Sequence, residues 1–139
     1  MNKRPLIGVG AVVFNAEDAI LLIKRGKAPN YGRWMVPGGR LEWGETLVDA
    51  TVREVFEETG IRIEIEAFVE IIEALTPGPE GFHYVIMDYA AHAISGDLAA
   101  GSDALDAVWV GRERLSEYDL TPDLARVIEK ARRATGRLP

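Results

Sequence analysis

Three carboxylates crowd one short segment of the chain, Glu54, Glu57 and Glu58. On a helix, at about 100° per residue, they fall within an arc of roughly 100°, opposite a stripe expected from Val48, Val52, Val55 and Phe56. Glu54 and Glu58 form a like-charge i,i+4 pair near the negative end of the helix macrodipole. Each such penalty costs an isolated helix a few tenths of a kcal/mol, roughly, or more. Arg53 offsets part of it. A divalent cation turns the same arrangement into a binding site, because clustered carboxylate oxygens are what Mg²⁺ or Mn²⁺ requires. A solvated acidic helix end is the alternative reading of these residues.

The segment just upstream has the opposite sign. From Lys24 to Leu41 there are five basic residues (Lys24, Arg25, Lys27, Arg33, Arg40) and no acidic one; from Glu42 to Glu58 there are six acidic residues against Arg53 alone.

These residues need elements to hold them. Apolar runs over 6–14 and 19–23, separated by Asn15-Ala16-Glu17-Asp18, predict a hairpin. Residues 24–33 read as loop, and Pro37-Gly38-Gly39 is expected to break any regular element after Trp34-Met35-Val36. Helical periodicity starts at Thr46, with capping-box spacing to Asp49, and stops at Gly60. Ile61, Ile63 and Ile65 then alternate with charged residues, the period-two pattern of a half-buried strand running to about Leu75. A turn over 76–81, a strand over 82–94, a loop over 95–106 and a short strand over 107–110 follow. Thr121 as N-cap and Pro122 at N1 mark the start of a final helix carrying Leu124, Val127, Ile128 and Ala131 on one face.

Composition narrows the function classes. The 139 residues suit one domain spanning 1–139, and a chain of this length buries a core without disulfides or structural zinc. It has no cysteine, which removes thiolate metal sites and Cys nucleophiles and suits a reducing compartment. Sixteen basic and 22 acidic residues give a net charge of −6, a poor balance for sequence-independent nucleic-acid binding. No apolar run is long enough for a bilayer span, and Met1-Asn2-Lys3-Arg4-Pro5 does not begin an export signal. The expectation is a soluble cytoplasmic protein with a small-molecule ligand, no nucleic-acid polymer and no membrane.

The pattern Gly39-x5-Glu45-x7-Arg53-Glu54-Val55-x-Glu57-Glu58-x-Gly60-Ile61 resembles the Nudix box at every defined position, and Trp34-x-x-Pro37-Gly38 extends the likeness upstream. The resemblance implies an α/β fold, an α/β/α sandwich around a mixed sheet, and metal-dependent cleavage of a diphosphate linked to another moiety. It assigns metal coordination to Glu54, Glu57 and Glu58 with a backbone carbonyl of Gly38 or Gly39, and a homodimer. Arg53 is expected to orient Glu57 from i,i+4, and Glu45 to anchor the loop. Arg25 and Arg40 are expected to stabilise phosphate oxygens, and Trp34 to stack on a base, with Phe82, His83 and Tyr84 as further candidates. Pro77, 16 residues beyond the box, resembles the ADP-ribose pyrophosphatase branch. That favours ADP-ribose cleaved to AMP and ribose 5-phosphate over a triphosphate pyrophosphatase for modified dNTPs or a non-catalytic nucleotide sensor. Two acids compete as general base. Glu54 lies in the cluster, but an acid sharing its charge with a cation is a weakened base. Asp103, in the loop Ala100-Gly101-Ser102-Asp103, avoids that conflict, with Asp106 as a fallback.

Overall fold

The computed structural model describes residues 3–28, 30–79, 81–101 and 103–137. Met1, Asn2, Glu80 of the expected turn and Ser102 of the expected loop lie outside the described residues. Seven strands form one mixed sheet: β1 (Leu6–Phe14), β2 (Ile20–Arg25), β3 (Trp34–Met35), β4 (Gly38–Arg40), β5 (Ile61–Leu75), β6 (His83–Gly96) and β7 (Ala104–Val110). The order is β3-β2-β1-β6-β5, with β1 and β6 parallel and the other pairs antiparallel. Helix α1 (Leu47–Thr59) and helix α2 (Leu124–Ala134) cover opposite faces.

Alternation along β1 shows why both faces are covered. Val12 and Phe14 join Leu124, Val127 and Ile128 of α2 in one core, whereas Ala11 and Val13 join Val55 of α1 in the other. An apolar run buried on both faces suits a strand central in a layered fold. β1 and β2 pair at Phe14↔Ile20 and then separate, β2 to β7 and β1 to β4. That separation opens the place in the sheet where the glycine-rich segment enters.

Four expectations change. Pro37-Gly38-Gly39 does not end regular structure, because Gly38–Arg40 forms β4, whose glycines fit closely beside Val9 and Gly10. The loop after β6 is shorter than expected, since β6 runs to Gly96 and β7 begins at Ala104, which puts Asp106 within a strand. The buried side of α1 is Ala50, Thr51, Val55 and Thr59, and both Val48 and Phe56 are exposed. Small side chains bring the helix close to the sheet, so it packs through them. Finally, α2 is preceded by a left-handed Asp123 (φ 67°), and neither Thr121 nor Pro122 holds the cap positions. The N–H of Leu124 instead meets the Thr121 carbonyl in a turn. A 3-10 helix over Arg112–Glu117 was not expected.

Candidate functional site

Both ends of α1 are made as the sequence indicates. The Thr46 side chain accepts the Asp49 amide, and Gly60 closes the helix at φ 75°. The helix therefore ends where its acids are densest, and Arg53 organises them. Its guanidinium donates to both Glu45 oxygens (2.6 and 2.9 Å), to Glu54 Oε1 (2.7 Å), to Glu57 Oε2 (3.1 Å) and to the Arg40 carbonyl (3.0 Å). The hydrogen bond to Glu45 foremost raises the Arg53 pKa further, and the Glu45 carboxyl is lowered by the same contact. Glu45 also accepts the Glu42 amide at 2.9 Å, so it anchors the loop before α1.

Glu58 faces the other side of the cluster. Its Oε1 accepts the Gly38 amide at 2.9 Å, yet burial pushes its pKa up to about 7. The Gly38 contact and Arg25 pull it back, while Glu54 and Asp103 push it further. Burial likewise raises Glu54, against the pull of Arg53. Glu54 packs onto the bare Cα of Gly39, where any Cβ would overlap its carboxylate. A side chain at position 39 would force the Glu54 carboxylate to move.

The structure brings Asp103 to this end of the helix. The Gly101 amide donates to the Glu58 carbonyl (2.7 Å), a Cβ at Gly101 would press on Glu57 and Glu58 backbone, and the Gly26 amide donates to the Asp103 carbonyl (3.1 Å). Asp103 itself pairs with Lys27 at 3.2 Å on the surface. Arg25, at the end of β2, is felt by Glu58 and donates to the Ala28 carbonyl at 3.4 Å. Arg40 is exposed and lines a cavity of about 480 Å³ with Leu6, Pro77, Phe82 and Tyr84. The rings of Phe82 and Tyr84 stack there at 6.4 Å.

Trp34 stands apart from the acids. It is half-buried, packs edge-on against Tyr118 at 5.0 Å and exchanges backbone hydrogen bonds with Asp119 and Thr121. Sequence reasoning passed over Asp88, an acid at 7 % exposure in β6, and Trp43, fully exposed in the loop before α1. An acid inside the apolar run from Val85 to Ala91 was the signal for the first.

Among the described residues no group of three His, Cys, Asp or Glu side chains is arranged to hold a metal ion; Glu54 and Glu57 are turned to Arg53 and Glu58 to Gly38. The donor set still fits a hard divalent cation. It offers carboxylate oxygens, two of them on acids whose burial disfavours their charge, beside the Gly39 cradle.

The NUDIX domain family model matches residues 4–131. The chain belongs to the Nudix family. An ADP-ribose pyrophosphatase from Methanocaldococcus jannaschii is 35% identical over 103 residues, covering 74% of this chain and 60% of that protein. A human 8-oxo-dGDP phosphatase is 33% identical over 132 residues, covering 94% of this chain and 40% of that protein. The Nudix chain thus spans roughly half the length of these relatives. A crystal structure of a MutT NUDIX hydrolase from Burkholderia pseudomallei superposes with a TM-score of 0.80 at 32% identity, covering 92% of this chain and 98% of that one. No described helix is long and apolar enough to cross a membrane.

Proposed function

We propose that this Nudix domain is a metal-dependent hydrolase of the pyrophosphate bond in a nucleoside diphosphate linked to another moiety, with ADP-ribose, cleaved to AMP and ribose 5-phosphate, as its substrate. The observation that carries the reading is the Arg53-ordered acid cluster at the end of α1, facing Gly38 and Gly39. The archaeal relative named as an ADP-ribose pyrophosphatase supports the substrate, as does the place of Pro77 at the cavity shared by Arg40, Phe82 and Tyr84.

Glu54, Glu57 and Glu58, with the Gly38 carbonyl, would hold Mg²⁺ or Mn²⁺, which supplies charge neutralisation of the diphosphate and a more acidic water. Arg53 keeps Glu54 and Glu57 in place and itself stays outside the reacting groups. Arg25 and Arg40 meet phosphate oxygens, and Asp103, coupled to Glu58, takes the proton from the attacking water. Trp34 stacks on the base of the substrate. The whole chain acts as one cytoplasmic domain and as a homodimer; exposed Phe68, Ile71 and Leu75 on the edge strand β5 support the dimer.

A second reading, a pyrophosphatase for modified dNTPs, is favoured by a Bacillus subtilis protein named as a putative 8-oxo-dGTP diphosphatase, 38% identical over 66 residues. A panel with Mg²⁺ containing ADP-ribose, NADH, diadenosine polyphosphates, 8-oxo-dGTP and ordinary dNTPs separates the two. ADP-ribose should be turned over at least about tenfold more efficiently than any dNTP. Equal kcat/KM values, or inorganic pyrophosphate as the chief product, would reject the ADP-ribose reading.

A further inference from the structure

Asp88 is a buried acid to which no described residue offers a hydrogen-bond donor. It stands in β6 between Gly10 of β1 and Glu70 of β5, and the alternation that sends Val12 and Ala90 into the α2-side core turns its side chain to that face. Its neighbours offer acceptors. Glu70 is a carboxylate already engaged by Arg126 (2.6 and 2.7 Å) and Lys130 (3.3 Å), so those cations are spent on Glu70. On the Gly10 side, the space a Cβ would occupy is bounded by Asp88 Oδ1 at 2.6 Å and the Pro37 carbonyl at 3.6 Å. No described residue donates a hydrogen bond to Asp88, although neither of its oxygens is sealed from solvent. A carboxyl kept in such surroundings calls for hydrogen-bond donors from outside the chain.

The backbone beside it carries no side chains of its own. Gly8 and Gly10, both buried, lie two apart on the same face of β1, and neither carries a side chain. Their missing side chains leave room that Ile86 and Asp88 lean into, with Asp88 Oδ1 2.6 Å from where a Gly10 Cβ would stand. That room borders the Gly39 carbonyl, 3.4 Å from where a Gly8 Cβ would stand, and Gly10 pairs with Gly38 on one side and Asp88 on the other. Asp88 is therefore two strand spacings, roughly 10 Å, from Gly38 of β4, whose amide donates to Glu58. That separation suits the stretch from a nucleoside to its phosphates.

We propose that Asp88 is a specificity-determining residue, its carboxylate accepting a pair of adjacent donors on the nucleoside half of the substrate. This rests on the proposed nucleotide hydrolysis for the direction in which the phosphates lie. Two parts of a nucleoside carry such a pair, the N1–H and N2–H₂ edge of guanine and the 2′,3′-diol of ribose, and binding experiments tell them apart.

The experiment is calorimetric titration of the full chain and of Asp88→Asn with GDP, IDP, ADP, 2′-deoxy-GDP and 2′-deoxy-ADP, each with Mg²⁺. The wild type should prefer GDP to IDP, or the ribose forms to the deoxy forms, by about tenfold or more, and Asp88→Asn should bring that ratio within about threefold. Gly10→Ala, whose methyl pushes into Asp88, should erode the same ratio. In the unaltered protein, the Asp88 carboxyl ¹³C resonance should move on adding the preferred nucleotide. Equal wild-type affinities in both comparisons, ratios untouched by Asp88→Asn, or a carboxyl resonance that stays put would each overturn the assignment. Because binding is read without turnover, loss of the hydrolase reading alone would leave these ratios standing.

Discussion

Replacing Asp88 by Asn should make the protein more stable at neutral and alkaline pH. Burial, with Glu70 adding to it, raises the Asp88 pKa from 3.8 to about 7, and the residue is 7 % exposed. A group whose pKa is higher in the folded state takes up a proton on folding between those two values, so stability rises as pH falls through that window. Above pH 7 the folded chain carries an ionised Asp88 at a cost of about 4 kcal/mol, from about 1.4 kcal/mol for each of roughly three pH units. At pH 5 the folded form is protonated and the remaining cost is about 1.5 kcal/mol. Asparagine has the same shape and no charge, so it removes the cost at every pH. Urea unfolding of both proteins at pH 5, 6, 7 and 8 with EDTA measures the difference, and the titration of Glu58 cancels because both proteins share it. The variant should be more stable at pH 8 by about 2–4 kcal/mol, with the gap narrowing by about half or more at pH 5. A gap that does not change with pH, or a less stable variant at pH 8, would refute the reasoning. A gain in stability alongside lost nucleotide discrimination is the trade expected where a site holds an uncompensated acid.

Glu57→Gln or Glu58→Gln should lower turnover by several orders of magnitude while the metal-free fold stays as stable or gains slightly, since like-charge repulsion is relieved; unchanged kcat with Mg²⁺ would remove these residues from the metal site. Asp103→Asn should lower kcat by about 10²-fold with little change in KM, and Asp106→Asn, held in β7, should lose much less. Nearly full kcat in Asp103→Asn, with none left in Glu54→Gln, would move the general base into the cluster. Gly39→Ala should displace the Glu54 carboxylate and lower kcat by about 10²-fold, and a crystal structure of that variant with Glu54 unmoved would contradict the steric argument.

Much of the site could be read from local chemistry. Thr46 and Gly60 mark the ends of α1 because a cap hydroxyl and a left-handed glycine are properties of single positions. The i,i+4 relation of Arg53 to Glu57 is equally local, and both side chains meet at 3.1 Å. What was hidden depends on partners distant in sequence. Gly38–Arg40 reads as a break because glycine disfavours strands, and it becomes β4 only when β1 leaves β2 and exposes an edge. Val48 and Phe56 read as core for their size, but a helix lying close to the sheet packs through Thr51, Val55 and Thr59 instead. Thr121 has the chemistry of a cap, yet the positive φ of Asp123 starts α2 later. Asp88 interrupts an apolar run, but its neighbours are set only by the register of β6 against Gly10 and Glu70.

The central claim is that the acids at the end of α1 serve cleavage of a pyrophosphate bond. Phosphorus NMR of ADP-ribose incubated with Mg²⁺ tests it most directly, run with the unaltered chain and with Glu57→Gln. With the unaltered chain the paired diphosphate signals should give way to two phosphomonoester signals, those of AMP and ribose 5-phosphate, and with Glu57→Gln they should persist. Diphosphate signals that persist with the unaltered chain, or decay equally fast with Glu57→Gln, would contradict the account.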